Sequence, residues 1–454
     1  MSDINILDPK VTPFVTLRLV SQDNVTREVS SDTVEFNAIL NKEMFTVSTG
    51  RTQVRFGKNR NRRLEKPLSD WGNEINRYLN RGYQFVTDQK VTKHEFTIVS
   101  EFKDIANRAI SKFVESIILA NDEKLKQDYT KSIEEIPKEC IDRANEILIE
   151  MQMELQNKSL DVKTFNTYLK EVFTQLPLAI SKHDGYFTMQ NDYEHYERVI
   201  SLLQEKLDTI CQQLREFNEE KAAYESGSLE RETVLEANNL EMRDVTLDER
   251  QKILEYMSDQ SGNFVRAWHV TNHETEKRFQ DYCKKRGITE ENGGISHLWH
   301  GTGFENIWSI FKSGLYLNPE LIKSNVRICG KAFGYGIYFA PYCRKSMGYT
   351  SAAGARYRGG SNRGGYLLIF KVATGNPYYY YRGTDKHGAK LPNHYRPNHW
   401  EDFHKQVPDC DVLWAEAGHE GDATVRRLCF DEVIAYQECQ ATIEYVVEFS
   451  DITW

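Results

Sequence analysis

The chain has 454 residues, of which 40% are hydrophobic and 28% charged. This is more than one ordinary domain holds, and the balance supports folded cores while excluding wholesale disorder. A formal net charge of −9 excludes a polycation built to coat nucleic acid, so any nucleic-acid contact must come from a local patch.

The N-terminal "MSDINILDPK" carries two acids and no apolar run, which is not the pattern of a secretory signal. No run of 18 apolar residues follows, so no membrane span is expected. The eight cysteines include no C-x-x-C pair. They read as free thiols of a reducing, intracellular compartment rather than as zinc ligands.

Residues 1–100 read as short strands. "FVTLRLV", "TVEFNAIL", "EMFTVSTG" and "TQVRFG" are partly alternating and bounded by turn residues. "DWGNEINRYLN" then reads as a helix, with Ser69 or Asp70 at its N-cap and Ile75 and Leu79 on one face. Residues 101–221 change to helical spacing. Ile105, Ala109, Phe113 and Ile117 form one expected face, and Ile141, Leu148, Met151 and Leu155 a second. Leu169, Val172, Phe173 and Leu176 form a third that stops at Pro177, and Val199, Leu202, Leu203, Leu207 and Ile210 a fourth. This predicts an all-α bundle. Residues 222–234 are polar and read as a linker; residues 235–454 are richer in glycine and return to β-rich runs. The fold class expected is therefore multidomain α+β.

Within the first segment, "RTQVRFGKNRNRRLEK" reverses the local sign of charge. Arg51, Arg55, Lys58, Arg60, Arg62 and Arg63 stand there against one acid, Glu65. Such a patch attracts phosphates through counterion release, and Trp71 close by would stack on an exposed base. The other reading is a solvated, arginine-rich hairpin with no ligand.

The third segment carries the chemistry. "HLWHGTGFENIW" places Gly301 after His300, where the backbone can approach a ligand amide, and adds the Thr302 hydroxyl. "FGYGIYFA" puts Gly336 and Tyr338 on one face of a strand, which reads as a slot with an aromatic wall. In "RKSMGY", Lys345 and Tyr349 share a helical face with Ser346 beside them. "LCFDEVIAYQ" sets Asp431 and Glu432 in a β-rich run, where a carboxylate is costly unless exposed at an edge or used. Taken singly, each stretch reads equally as turn glycines, packed tyrosines and an edge acid.

Together and in this order, "LWHGTGFENIWSIFKSGL", "FGYGIYFA" with "KSMGY", and "DEVIAYQ" resemble the catalytic domain of the poly(ADP-ribose) polymerase family. "SIEEIPKECIDRANEILIEM" and "FTQLPLAI" are similar to that family's regulatory helical domain. "TGR" with "GYQFVTD" resembles its WGR domain. The resemblance implies a small β-rich WGR-like module, a helical bundle, and an ADP-ribosyltransferase fold of packed antiparallel sheets with flanking helices. It implies NAD as donor substrate, no metal, and a triad of His300, Tyr338 and Glu432. His300 would hold the adenosine ribose, and Gly301 and Ser346 the nicotinamide carboxamide. Tyr349 and Tyr338 would flank the ring, Glu432 would grip the nicotinamide ribose, and Thr302 and Asn306 would lie toward the adenosine. Lys345 belongs to the same donor set.

Tyr316 stands where members of that family have an arginine reaching the adenosine side. The donor-side loop "NPELIKSNVRICGKAF" is longer and more basic than theirs, and the acceptor-side stretch 383–418 diverges. That stretch contains His387, His394, His399 and His404 without partners at metal-ligand spacing, so no metal site is expected. The expected partners are DNA or RNA ends or nicks, protein acceptors including the chain itself, and an accessory protein at the terminal Trp454. The expected location is intracellular: nuclear in a eukaryote, cytoplasmic in a bacterium or virus. The expected activity is poly-ADP-ribosylation activated by nucleic-acid ends. Single ADP-ribose transfer, a catalytically silent nucleic-acid or ADP-ribose reader, and a scaffold built on the bundle stand as alternatives.

Overall fold

The computed structural model describes residues 9–10, 14–22, 29–52, 62–86, 103–129, 133, 136–178, 185–225, 233–324, 331, 333–357, 360, 362, 364–380, 399–417 and 429–452. Arg55, Lys58, Arg60, Cys329, His387, His394 and Trp454 lie outside them, as do parts of the 222–234 stretch, of "NPELIKSNVRICGKAF" and of 383–418. Two compact units form: Met1–Ile98 with Leu125–Leu214, and Val99–Lys124 with Arg215–Trp454.

The first unit contains β1 (Phe14–Gln22), β2 (Val29–Ile39), β3 (Met44–Thr52), β4 (Arg62–Pro67), α1 (Trp71–Leu79) and β5 (Gln84–Val86). Then come α2 (Arg108–Asp128), α3 (Lys138–Gln156), α4 (Val162–Gln175) and α5 (Tyr193–Glu225). The unit boundaries fall inside α2 and α5. The strands form one antiparallel sheet in the order β4-β3-β2-β1-β5. Val15, Leu17, Val34, Phe36, Phe45 and Val47 supply its apolar face, and α1 covers it with Trp71 and Ile75.

Trp71 is therefore a core residue. It is 1% exposed and meets Phe36 and Phe45 edge-on at 6.0 and 5.3 Å. Its ring has no free face to stack on a base, which corrects the sequence expectation. On the opposite face of β1, Arg18 is buried, and its Nη1 donates to the carbonyls of Phe173, Thr174 and Leu176 at 3.0, 2.9 and 3.2 Å. Those carbonyls end α4, where a helix leaves acceptors unsatisfied and the dipole is negative.

The helical faces form nearly as the spacing predicts. Ile141, Leu148, Met151 and Leu155 are buried on α3, and Leu169, Val172 and Phe173 on α4. Asp161 caps α4 by accepting from the Thr164 N–H at 2.7 Å. Two positions differ. Leu202 is exposed, and on α2 the buried stripe is Ile110, Phe113, Val114 and Ile117 rather than one through Ala109.

The second unit holds β6 (Leu240–Asp244), α6 (Leu247–Met257), β7 (Phe264–Asn272), α7 (His273–Arg286), β8 (Ile295–His300), α8 (Ile307–Ser313) and α9 (Pro319–Ser324). It continues with β9 (Ile337–Phe339), α10 (Cys343–Met347), β10 (Gly365–Ala373), β11 (Pro377–Tyr380), α11 (Trp400–Gln406), β12 (Val412–Ala415), β13 (Glu432–Ala435) and β14 (Ala441–Phe449). One sheet runs β6-β7-β14-β10-β8 and is antiparallel throughout; the other runs β11-β12-β13-β9. The second sheet departs from the all-antiparallel expectation, because β11 and β12 pair in parallel, Pro377 opposite Val412.

Strand β14 is buried on both faces, with seven of nine residues inside, so it forms the floor of the unit. Asn272 joins two helix ends. Its Oδ1 accepts from the Glu274 and Thr275 N–H groups at the start of α7, and its Nδ2 donates to the Phe311 and Lys312 carbonyls in α8 at 2.7 Å each. Thr246 and Glu249 form a capping box at α6.

Candidate active site

The two sheets of the second unit meet where β8 and β9 end. The N–H of Trp299 donates to the Ala340 carbonyl at 2.8 Å, and that of Ala340 to the Trp299 carbonyl at 2.9 Å. This seam sets His300 and Tyr338 side by side. Nδ1 of His300 lies 3.1 Å from the Tyr338 carbonyl, and its ring is edge-on to Phe339 and Phe370, each at 5.9 Å.

A carbonyl only accepts, so Nδ1 carries the proton and Nε2 presents a lone pair. Burial pushes the imidazole pKa down to about 4, the Tyr338 carbonyl opposes this, and the Lys331 cation adds to it. His300 is therefore neutral at physiological pH.

The Tyr338 hydroxyl is committed to the turn before its own strand. It donates to the Gly334 carbonyl at 2.8 Å and accepts from the Phe333 N–H at 2.9 Å. Gly334 has a φ of +86°, the left-handed region that glycine tolerates. Lys331 Nζ sits 5.2 Å from the centre of the Tyr338 ring.

Gly336 does not leave a slot. A Cβ there would meet Ile434 Cγ2 at 2.6 Å and the Ala435 carbonyl at 2.8 Å, so the bare position is filled by β13. The glycine lets β9 and β13 approach each other. It is Gly301 that is indispensable at the site, because a Cβ on it would fall 1.8 Å from the Ser346 carbonyl oxygen. The loop after β8 is thereby pressed onto α10.

Glu432 opens β13, two positions before Ile434, the register partner of Tyr338. It is 8% exposed and forms an ion pair with Lys345 of α10, both side chains being buried to a similar degree. A buried carboxylate is stable only when compensated, and Lys345 compensates it. The neighbouring Asp431 has a structural task. It accepts from Trp414 Nε1 at 3.0 Å and from the Ala417 N–H at 2.8 Å.

Ser346 is buried beside Gly301. Tyr349 is 40% exposed. Burial, then the Glu432 charge, pushes its hydroxyl pKa up to about 12. Asn306 Nδ2 donates to Thr302 Oγ1 at 3.2 Å, which joins the two residues expected toward the adenosine end. His300, Gly301, Tyr338, Lys345, Ser346 and Glu432 are thus linked through the contacts of one seam, strand pair and helix.

Three residues near the expected site escaped the sequence reading. Lys331 lies in a loop with no motif. Tyr357 stacks on Tyr349 with centroids 4.5 Å apart and planes at 24°. Arg215, in the part of α5 that belongs to this unit, lays its guanidinium 4.7 Å from the centre of the Tyr316 ring and pairs with Glu438 at 3.1 Å. The position where an arginine was expected thus holds a tyrosine with an arginine stacked upon it.

Among the described residues, no group of three or more His, Cys, Asp or Glu side chains is placed to hold a metal ion, and no helix is long and apolar enough to cross a membrane. In the first unit, Arg51 and Arg62 lie on neighbouring strands β3 and β4, and Arg63 is exposed.

Residues 248–451 match the family model of the poly(ADP-ribose) polymerase catalytic domain. A chicken protein named protein mono-ADP-ribosyltransferase PARP3 is 26% identical over 53% of this chain and 44% of its own length. A protein of invertebrate iridescent virus 6, named putative poly(ADP-ribose) polymerase-like 100L, is 29% identical over 38% of this chain and 87% of its own. Chicken poly(ADP-ribose) polymerase 1 is 27% identical over 33% of this chain and 14% of its own. The match thus spans less than half of either chicken relative. A seam bearing His300 and Tyr338, the buried Glu432 and the matching catalytic-domain model all fall within one unit, and it is this unit that is similar to the poly(ADP-ribose) polymerase family.

Proposed function

We propose that the chain is an NAD-dependent protein ADP-ribosyltransferase that transfers ADP-ribose to itself and to other proteins and releases nicotinamide. The observation that carries this reading is the buried Glu432, held by Lys345 on the strand beside Tyr338. A carboxylate kept out of water stabilises a developing positive charge far better than one in solvent.

The residues suit NAD as donor substrate. The Nε2 lone pair of neutral His300 accepts a hydrogen bond from a ribose hydroxyl. Gly301 and Ser346, pressed together, offer backbone and hydroxyl groups to the carboxamide. Tyr349 offers an aromatic face to the pyridinium ring. In the proposed reaction the bond between ribose C1′ and the nicotinamide nitrogen breaks, and its electron pair leaves with neutral nicotinamide. An acceptor oxygen supplies the pair for the new bond to C1′ and gives up its proton to Glu432 or water. Glu432 stabilises the cationic ribose between these events.

The proposed product is a polymer, because a carboxylate at this position also activates an incoming ribose hydroxyl. Single transfer is the second reading, favoured by the name of the chicken relative. We further read residues 1–100 as a WGR-like module and 101–221 as a regulatory helical domain. In that reading nucleic-acid ends activate the enzyme. Arg51, Arg62 and Arg63 on adjacent strands support a phosphate-binding edge.

Product length on a denaturing gel, with and without a nicked 5′-phosphorylated duplex, tests these points. A ladder dependent on duplex supports an activated polymerase. A single addition independent of duplex makes the enzyme a constitutive mono-transferase.

A further inference from the structure

Sequence resemblance assigns Tyr349 to the nicotinamide ring but says nothing of residue 357, which lies in a glycine-rich stretch, "AAGARYRGG". The fold brings that stretch back onto α10. The Tyr357 N–H donates to the Gly348 carbonyl at 2.9 Å, and its ring stacks on Tyr349 at 4.5 Å. Gly348 makes room for it: a Cβ at 348 would lie 2.7 and 2.8 Å from Tyr357 ring carbons. Ser351 and Asn362 close the loop, the Asn362 N–H donating to the Ser351 carbonyl at 3.1 Å. A backbone bond, a ring stack and a bare glycine thus converge on one side chain.

Tyr357 is 53% exposed and Tyr349 40%, whereas Ser346 and Glu432 are 3% and 8%, so Tyr357 is the more solvent-facing ring of the pair.

We infer that Tyr357 is a positioning residue for the donor, backing Tyr349 from outside and holding it flat against the nicotinamide ring. This rests on the donor-site reading given above. An unsupported tyrosine at 40% exposure samples several rotamers, and ordering it on binding costs free energy. The Tyr357 stack supplies that order before the donor arrives. The effect falls on binding of the flat ring, not on the charge stabilised at the ribose.

The test compares the full-length chain with Tyr357→Ala, Tyr357→Phe and Gly348→Ala. Gly348 has a φ of −64°, which alanine adopts freely, so that variant chiefly crowds the 357 ring, with the Lys345 carbonyl 3.2 Å from the new methyl. Benzamide, a neutral aromatic amide, probes ring binding by calorimetry, and NAD kinetics give KM and kcat. Tyr357→Ala and Gly348→Ala are expected to weaken benzamide and raise the NAD KM about five- to tenfold, with kcat held within about threefold. Tyr357→Phe keeps the stack and is expected to behave as wild type.

Benzamide affinity unchanged within about twofold in Tyr357→Ala, or tightened because the ring had obstructed the slot, overturns the inference while wild-type binding stands. A wild-type chain that binds neither benzamide nor NAD overturns the donor-site reading and this inference with it.

Discussion

The His300 imidazole and the Tyr338 main-chain carbonyl lie 3.1 Å apart, one at the end of a five-stranded sheet and the other on the edge strand of a four-stranded sheet. That contact fixes the tautomer of His300 and joins the two sheets at the candidate site. The Trp299–Ala340 bridge one residue away holds the seam closed.

The first prediction concerns pH. With its pKa near 4, below the ordinary 6.5, His300 stays neutral across the physiological range. Donor affinity is expected to show no break near pH 6.5 and to fall only as pH approaches 4. Stability follows the same residue. Between these values the unfolded chain binds a proton that the folded chain does not, so the His300 contribution is present above 6.5 and is lost as pH falls toward 4. NAD titrations from pH 4.5 to 8 on wild type and His300→Gln check this. A wild-type affinity that halves near pH 6.5, absent from the variant, would show that the imidazole titrates normally.

A second prediction separates charge from shape at the buried pair. Glu432→Gln keeps the volume and is expected to lower kcat about 100- to 1000-fold while shifting the NAD KM far less. It also leaves Lys345 buried without its counter-charge, so a loss of about 3 kcal/mol in folding stability is expected alongside. Lys345→Met is expected to lose stability similarly, because it leaves the buried Glu432 carboxylate without its counter-charge. Urea unfolding and steady-state kinetics on both variants check the two effects.

Gly301→Ala is the third. The new methyl would fall 1.8 Å from the Ser346 carbonyl oxygen, so the loop after β8 must move off α10. Overpacking of this kind costs about 1–3 kcal/mol, and the variant is expected to lose NAD binding while remaining folded. Wild-type affinity would mean that the Gly301–Ser346 contact does not shape the donor site.

The fourth concerns a structural residue. Arg18→Met removes the guanidinium from three α4 carbonyls and is expected to destabilise the first unit by about 1–3 kcal/mol. Thermal unfolding checks it; a melting temperature equal to wild type would mean that solvent satisfies those carbonyls.

Much of this molecule is legible in its sequence. Each helix of the 101–221 segment shows its apolar spacing, and the short motifs around His300, Tyr338 and Glu432, ambiguous singly, are recognisable by their order. Their meeting is not legible, since they lie up to 132 positions apart. It depends on β9 pairing with β13 and on the bridge that joins β8 to the strand end at Ala340.

Local rules also misplace some details. Alternation puts Arg18 opposite Leu17 and suggests solvent, yet α4 covers that face of β1 as well. An aromatic near a basic run suggests stacking, yet Trp71 closes a core. Glycine beside tyrosine suggests a slot, yet β13 fills it. In each case a neighbour distant in sequence decides, and pattern within one segment cannot show it.

The most direct test of the central claim is incubation of the full-length chain with NAD labelled in the adenylate moiety, following protein-bound label and free nicotinamide together. The account predicts label on the protein with at least one nicotinamide released per ADP-ribose attached, both abolished or cut about 100-fold or more in Glu432→Gln. Label and nicotinamide release that persist undiminished in Glu432→Gln would contradict it, as would a wild-type chain that releases no nicotinamide with or without nucleic-acid ends.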